Sequence, residues 1–333
     1  MTIDRHVSKM FCAARVFALL SVVSAHISLP ETFAGNLFGR IGSIGVIAFI
    51  IMSGYFYNTD KYPKAAKLIT DKFVRIVVPW VFMASIVFAY DTILGHKSFS
   101  FINYFKWIIG NGTYFYYMTV LVMCYLIFYK TNRIILYMSV FINAVSLLLT
   151  ATGIIAPAIS ALHITNYLNI FNWIGFFAIG LLLRKAEPDK IYAFFLKCRW
   201  IIIVAYNIAL VLLLIFEKIK ADYFSFIGPA YELLGVAAIF SFSTLDLCKY
   251  KITVALSNCS FAVYLVHIMF IALIDDYFSL STVTRLLMPL TVVLLAFAVL
   301  SLGRLICEKI HLSKLYSLLT GIRKISYENR DTK

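Results

Sequence analysis

Ten runs of roughly twenty apolar residues, each long enough to cross a bilayer as a helix, leave this chain few folds to choose from. They cover residues 10–29, 39–57, 74–94, 113–130, 133–152, 167–184, 199–217, 226–246, 257–275 and 286–307. Lipid offers no hydrogen-bond partner, so each run must satisfy its own backbone N–H and C=O groups, and a helix does that within one segment. The pattern predicts an all-α integral membrane protein of about ten transmembrane helices, one domain over residues 1–333. Composition leaves no room for a large soluble part: 62% of the residues are hydrophobic, 14% are charged, and the mean hydropathy is +0.89.

Turn and charge clusters punctuate the runs, among them Pro30-Glu31, Asn58-Thr59-Asp60-Lys61, Gly110-Asn111-Gly112 and Glu187-Pro188-Asp189. With the N-terminus in the cytoplasm, 23 of the 30 Lys and Arg fall on inward segments and 6 on outward ones. That excess is the positive-inside signal, and it places both termini in the cytoplasm. The net charge of +14 is then a matter of orientation, not of nucleic-acid binding. The six cysteines (12, 124, 198, 248, 259 and 307) are scattered without a CxxC pair, which argues against a disulfide framework or a metal site. The first run is interrupted by Arg15 and lacks a small-x-small cleavage site, so it reads as a span and not as a signal peptide. Residues 61–73 interleave Lys with apolar residues and are expected to lie on the cytoplasmic leaflet as an amphipathic helix. Residues 99–109 are too short to cross, and 308–325 read as a second basic interfacial helix.

Within this apolar background a few polar residues stand out. An ionisable side chain at mid-bilayer costs about 2.5–3.5 kcal/mol on insertion scales, so it marks a cavity or a pathway. The first run holds two, Arg15 and His26. Eleven residues apart, they are expected on one helix face about 16 Å apart along its axis. Arg15 reads as a clamp for phosphate or carboxylate, and His26 as a titratable group toward the outside. Gly39, Gly42 and Gly45 permit close helix packing; at Ser53-Gly54 the backbone can approach another helix or a ligand. Lys72 and Arg75, three apart before Pro79, form a second candidate anion site on the inner side. Tyr116 and Tyr117 read either as an interfacial aromatic belt or as a stacking surface for a sugar ring. His267 lies deep in its run, and Glu232, beside Gly228-Pro229, suggests a broken helix and a partner among Arg15, Arg75 and His267.

In this order the motifs resemble the membrane acyltransferase-3 family of bacterial O-acyltransferases. The family's first helix carries an arginine, ten residues and a histidine, here Arg15 and His26. Its next span closes on Ser-Gly, here Ser53 and Gly54; a basic pair and a proline precede the third, here Lys72, Arg75 and Pro79. Tyr116-Tyr117 is similar to its Trp-Phe-Leu run, and SFAVYLVH to its late S-x-x-Y-L-x-H segment, here Ser260, Tyr264 and His267. Three departures stand out: no Asp shortly precedes Arg15, Lys72 replaces an arginine, and Tyr116 replaces a tryptophan.

The resemblance implies an O-acetyltransferase of the bacterial inner membrane. It would move acetyl from cytoplasmic acetyl-CoA, a substrate and not a bound cofactor, to a hydroxyl of O-antigen or another surface or lipid-linked polysaccharide. Arg15, Lys72, Arg75, Ser53 and Gly54 are expected to hold the acyl-CoA, and His26 to act as base or acyl carrier. His267 and Tyr264 are expected to orient His26 or stabilise the oxyanion, and Tyr116, Tyr117 and Glu232 to contact the acceptor. The competing reading is a transporter or flippase for a lipid-linked glycan or small molecule, which predicts an internal repeat or a carboxylate pathway. The sequence shows no repeat and one candidate carboxylate, Glu232.

Overall fold

The computed structural model describes residues 5–29, 33–216 and 221–322. Each of the ten apolar runs contains a helix. The first half of the chain forms α1 (Arg5–Ser24), α2 (Phe33–Gly42), α3 (Ile44–Phe56), α4 (Ala65–Ile93), α5 (Phe101–Ile109), α6 (Tyr116–Ile127) and α7 (Arg133–Ala151). The second half forms α8 (Ile174–Lys185), α9 (Pro188–Lys197), α10 (Arg199–Ile215), α11 (Gly228–Ser243), α12 (Lys251–Tyr277), α13 (Met288–Lys309) and α14 (Ser313–Thr320). Among the described residues, six helices are long and apolar enough to cross a membrane, with α2 and α3 taken as one; bent by 61°, α9 and α10 together make a seventh. Three expected spans are shorter: α6 and α8 have 12 residues each and α11 has 16. Short helices are tolerated at membrane depth where protein, not lipid, surrounds them.

Helix α1 is the hub. It packs against α2, α3, α9, α11, α12 and α13. Its small residues explain how so many neighbours fit. Gly42 closes on Ala25, and Gly45 on the Ala18 carbonyl and Ser21, leaving no space for a Cβ at either glycine. The Ser21 hydroxyl donates to the Ile41 carbonyl across this contact (2.6 Å). By contrast, only 22% of the apolar stretch of α13 and 28% of α7 is buried, so these helices form the lipid-facing rim.

Four expectations need correction. First, α1 ends at Ser24. The next turn winds tighter, with His26 N–H donating to Val23 and Ile27 N–H to Ser24, so His26 lies beyond the helix and not on a continuous face with Arg15. Second, residues 61–73 are not a separate interfacial helix. From Ala65 the chain runs without a break into α4 through a π-helical turn at Phe73–Val77. Pro79 lacks an N–H, and its ring would clash with the Arg75 carbonyl in a regular α-helix; the wider turn relieves that clash. Third, Cys12 and Cys248 form a disulfide (Cα–Cα 6.4 Å) across 236 residues. It ties α1 to the segment before α12, where Lys9 also pairs with Asp246 at 2.9 Å. Fourth, α11 is unbroken. Pro229 sits in its first turn, where a missing N–H costs no helical bond.

The segment 99–109 forms α5, with Phe101, Ile102 and Phe105 exposed and Trp107 buried. The basic tail forms α14, which stops at Gly321 in a left-handed conformation (φ 73°); residues from 323 onward lie outside the described residues.

Candidate active site

The His26 end of the bundle is built from the turn after α1, the start of α6 and the middle of α12. The His26 and His267 rings lie 5.2 Å apart, centroid to centroid. His26 is exposed, whereas His267 behind it is 0% exposed. His267 Nδ1 faces the carbonyl of Tyr264, one turn back on the same helix, so the neutral ring donates from Nδ1 and carries its lone pair on Nε2. That Nε2 is buried and, among the described residues, has no hydrogen-bond partner.

Two tyrosines lock this arrangement. The Tyr264 hydroxyl donates to the Tyr114 carbonyl (2.6 Å), and the Tyr114 hydroxyl donates to the Leu265 carbonyl (2.9 Å). The reciprocal bonds fasten the start of α6 to α12 beside both histidines; the Tyr114 ring lies 6.0 Å from His26 and 5.0 Å from His267. In this structure the Tyr264 hydroxyl is engaged by the Tyr114 carbonyl.

Toward the Arg15 end, Tyr117 stacks edge-on against Tyr264 with 5.1 Å between rings. The Arg15 guanidinium sits 4.7 Å over the Phe56 ring, and Tyr117 and Tyr125 lie within its electrostatic reach. Ring contacts thus link Tyr117 through Tyr264 and His267 to His26. Tyr117, Tyr264 and His267 are all buried.

The other expected residues fall outside these contacts. Lys72, just before the π-turn, and Arg75, within it, both reach the Tyr62–Asp71 pair. Lys72 points over the rings of Tyr125 (3.6 Å), Tyr57 and Tyr62, and Arg75 pairs with Asp71, which also accepts from the Tyr62 hydroxyl at 2.6 Å. Gly54 serves helix packing, since a Cβ there would strike the Phe177 carbonyl and the Gly180 Cα. Tyr116 and Tyr117 are buried, not an open platform; Tyr116 packs on Tyr167 and Trp173, with ring distances of 4.7 and 5.5 Å. Glu232 does not pair with Arg15, Arg75 or His267. It is 0% exposed, and among the described residues neither carboxyl oxygen has a hydrogen-bond partner; nearby Ser43 donates instead to the Arg40 carbonyl.

Sequence reasoning read Tyr114 only as part of the aromatic run 114–118, without a role of its own, and passed over Tyr125.

A helical bundle with six or seven helices long and apolar enough to cross a membrane, among the described residues, and a histidine pair at one end is a multi-pass membrane protein. The family model described as "Acyltransferase domain" matches residues 12–307, nearly the whole chain, and the chain belongs to this acyltransferase-3 family. It is thus a membrane acyltransferase. No curated protein and no solved structure matches it.

Proposed function

We propose that the protein transfers acetyl from cytoplasmic acetyl-CoA to a sugar hydroxyl of O-antigen or another surface or lipid-linked polysaccharide at the bacterial inner membrane. The observation that carries this reading is the pair His26 and His267, rings 5.2 Å apart, in a chain that the acyltransferase family model matches over residues 12–307. Arg15 offers a fixed cation to the phosphates of coenzyme A at the inner end. The pantetheine arm reaches from there toward the histidines.

His26, being exposed, meets the acceptor and takes the proton from its hydroxyl. The sugar oxygen attacks the thioester carbonyl, and the tetrahedral intermediate collapses with loss of the coenzyme A thiolate, which regains the proton from His26. Nε2 of His267, unpartnered in the structure, takes up a hydrogen bond from His26 when the acceptor binds and so sets its tautomer. Tyr264 and Tyr114 hold His267 in place.

The test is mass spectrometry of surface polysaccharide from cells carrying no protein, the native protein or His26→Ala at matched membrane levels. Acetyl groups are expected with the native protein alone. Full acetylation by His26→Ala would sink the histidine mechanism, and identical glycan with and without the protein would sink the acetyl-transfer reading.

A further inference from the structure

Helix α1 stops at Ser24, so the helix itself does not hold His26 against His267. Ala25, His26 and Ser28 are exposed, and Ile27 among them is buried. Two backbone bonds shape this turn, from His26 N–H to Val23 and from Ile27 N–H to Ser24. Both point back along the same segment, and neither reaches α12, which carries His267. Ring packing on Tyr114 gathers the two histidines from one side.

A polar tie crosses from the turn to α12. Arg285 closes the short helical stretch Thr282–Arg285 ahead of α13, a stretch braced by Ser281, whose hydroxyl accepts from Thr284 N–H at 3.3 Å. Nη1 of Arg285 donates to the Ser28 carbonyl, two residues past His26, at 3.3 Å. The same nitrogen pairs with Oδ1 of Asp275 at 2.7 Å. A guanidinium Nη carries two hydrogens, so one nitrogen can serve both oxygens. Asp275 stands in the last turn of α12, eight residues past His267 and about 12 Å farther along one rigid helix. Arg285 therefore links the turn that carries His26 to the helix that carries His267. The charge pattern of the chain makes such an arginine unusual, since only six of the Lys and Arg fall on outward segments. Its side chain is 20% exposed and that of Asp275 27%, so water and salt screen this pair less than an open surface pair.

We propose that Arg285 is a positioning residue for acyl transfer: with Asp275 it clamps the His26 turn to α12 and sets the distance between the two histidines. This rests on the acyl-transfer reading above. Arg285 acts on the reaction through His26, so its loss lowers turnover and leaves substrate binding unchanged.

The test uses the full chain in nanodiscs as native protein, Arg285→Met, Arg285→Lys, Asp275→Asn and the Arg285→Met/Asp275→Asn double variant. Lys106→Gln, which removes an exposed outward cation on α5, is the control. One readout is transfer from radiolabelled acetyl-CoA to polysaccharide isolated from cells lacking the protein; the other is amide hydrogen exchange over residues 24–29. Arg285→Met and Asp275→Asn are each expected to lower kcat and to speed exchange at His26 and Ile27, both by about tenfold, the loss of one charge-assisted bond. The KM values for acetyl-CoA and for the polysaccharide stay unchanged. The double variant loses no more than either single one, because the two residues form one contact. An ammonium can also serve both oxygens, so Arg285→Lys is expected to keep most of the native kcat and the native exchange. Lys106→Gln changes neither. A change confined to the polysaccharide KM would make Arg285 an acceptor ligand. A lowered unfolding midpoint with native kcat would make it a structural tie. Either result overturns the proposal, as does native exchange at His26 in Arg285→Met. Exchange needs no acetyl transfer, so absent transfer by the native protein counts against the acyl-transfer reading, while the exchange rates still decide the clamp.

Discussion

Replacing His267 by asparagine and, separately, by glutamine isolates its two ring nitrogens. Nδ1 serves the Tyr264 carbonyl, and Nε2 is the nitrogen left for His26, with the rings 5.2 Å apart. The amide of glutamine reaches the Nε2 position; that of asparagine stops at Nδ1. One neutral hydrogen bond contributes about 0.5–1.5 kcal/mol, a factor of about 2–10 in rate. A catalytic group displaced by about an ångström loses about 10²-fold. His267→Gln keeps an acceptor for His26 but loses the Tyr264 bond, and is expected to lower kcat by up to about tenfold. His267→Asn keeps the Tyr264 bond but leaves His26 unsupported, and is expected to lower kcat about 10²-fold. Neither should move the acceptor KM, because His267 is fully enclosed and does not meet the acceptor. The assay is transfer of radiolabelled acetyl from acetyl-CoA in proteoliposomes, after matched thermal unfolding curves show that both variants fold. Equal kcat losses, the reverse ranking, or a change confined to KM would refute the assignment of Nε2 to His26.

Three further outcomes are expected. Arg15→Lys trades a planar guanidinium for a point charge at a site stacked on Phe56, and should raise the acetyl-CoA KM about tenfold with the acceptor KM unchanged, as donor titrations would measure. Gly54→Ala drives a methyl into the Phe177 carbonyl and should cost about 1–3 kcal/mol of stability; an unfolding midpoint equal to that of the native protein would contradict the close contact of α3 with α8. Thiol blocking before reduction, followed by peptide mass spectrometry, should recover Cys12 and Cys248 in one linked peptide, and blocked thiols at both positions would show that the bond is absent.

What the sequence made legible was set by chemistry that is local in the chain. Apolar runs report burial away from water, so each of the ten contains a helix, although among the described residues six or seven are long enough to cross a membrane, and the order of motifs led to the family that the match over residues 12–307 shows. Pairings across distant segments left no such trace. Nothing near Cys12 points to Cys248, 236 residues away, and nothing near Tyr264 announces that its hydroxyl is held by Tyr114. The face argument for Arg15 and His26 failed in its geometry because it assumed 100° per residue through a turn that winds tighter. His26 is instead met by His267, Tyr264 and Tyr117 in ring contact, contributed by other helices. Lys72 and Arg75 still meet around Tyr62, but Asp71, the acidic partner of Arg75, was not foreseen by their spacing.

The wide turn at Phe73–Val77 makes α4 a helix of two phases. A π-turn holds one residue more than an α-turn, so everything beyond it is rotated by roughly 100° from where regular winding would put it. Ahead of the turn, that phase aims Lys72 at Tyr125 and Tyr57; beyond it, Trp80, Met83 and Val87 face the core. The offset lets one continuous rod serve two clients that regular winding would place out of step. Length in this stretch thus becomes a matter of angle: deleting one residue between Phe73 and Val77 would turn one half of α4 against the other while leaving its composition almost untouched.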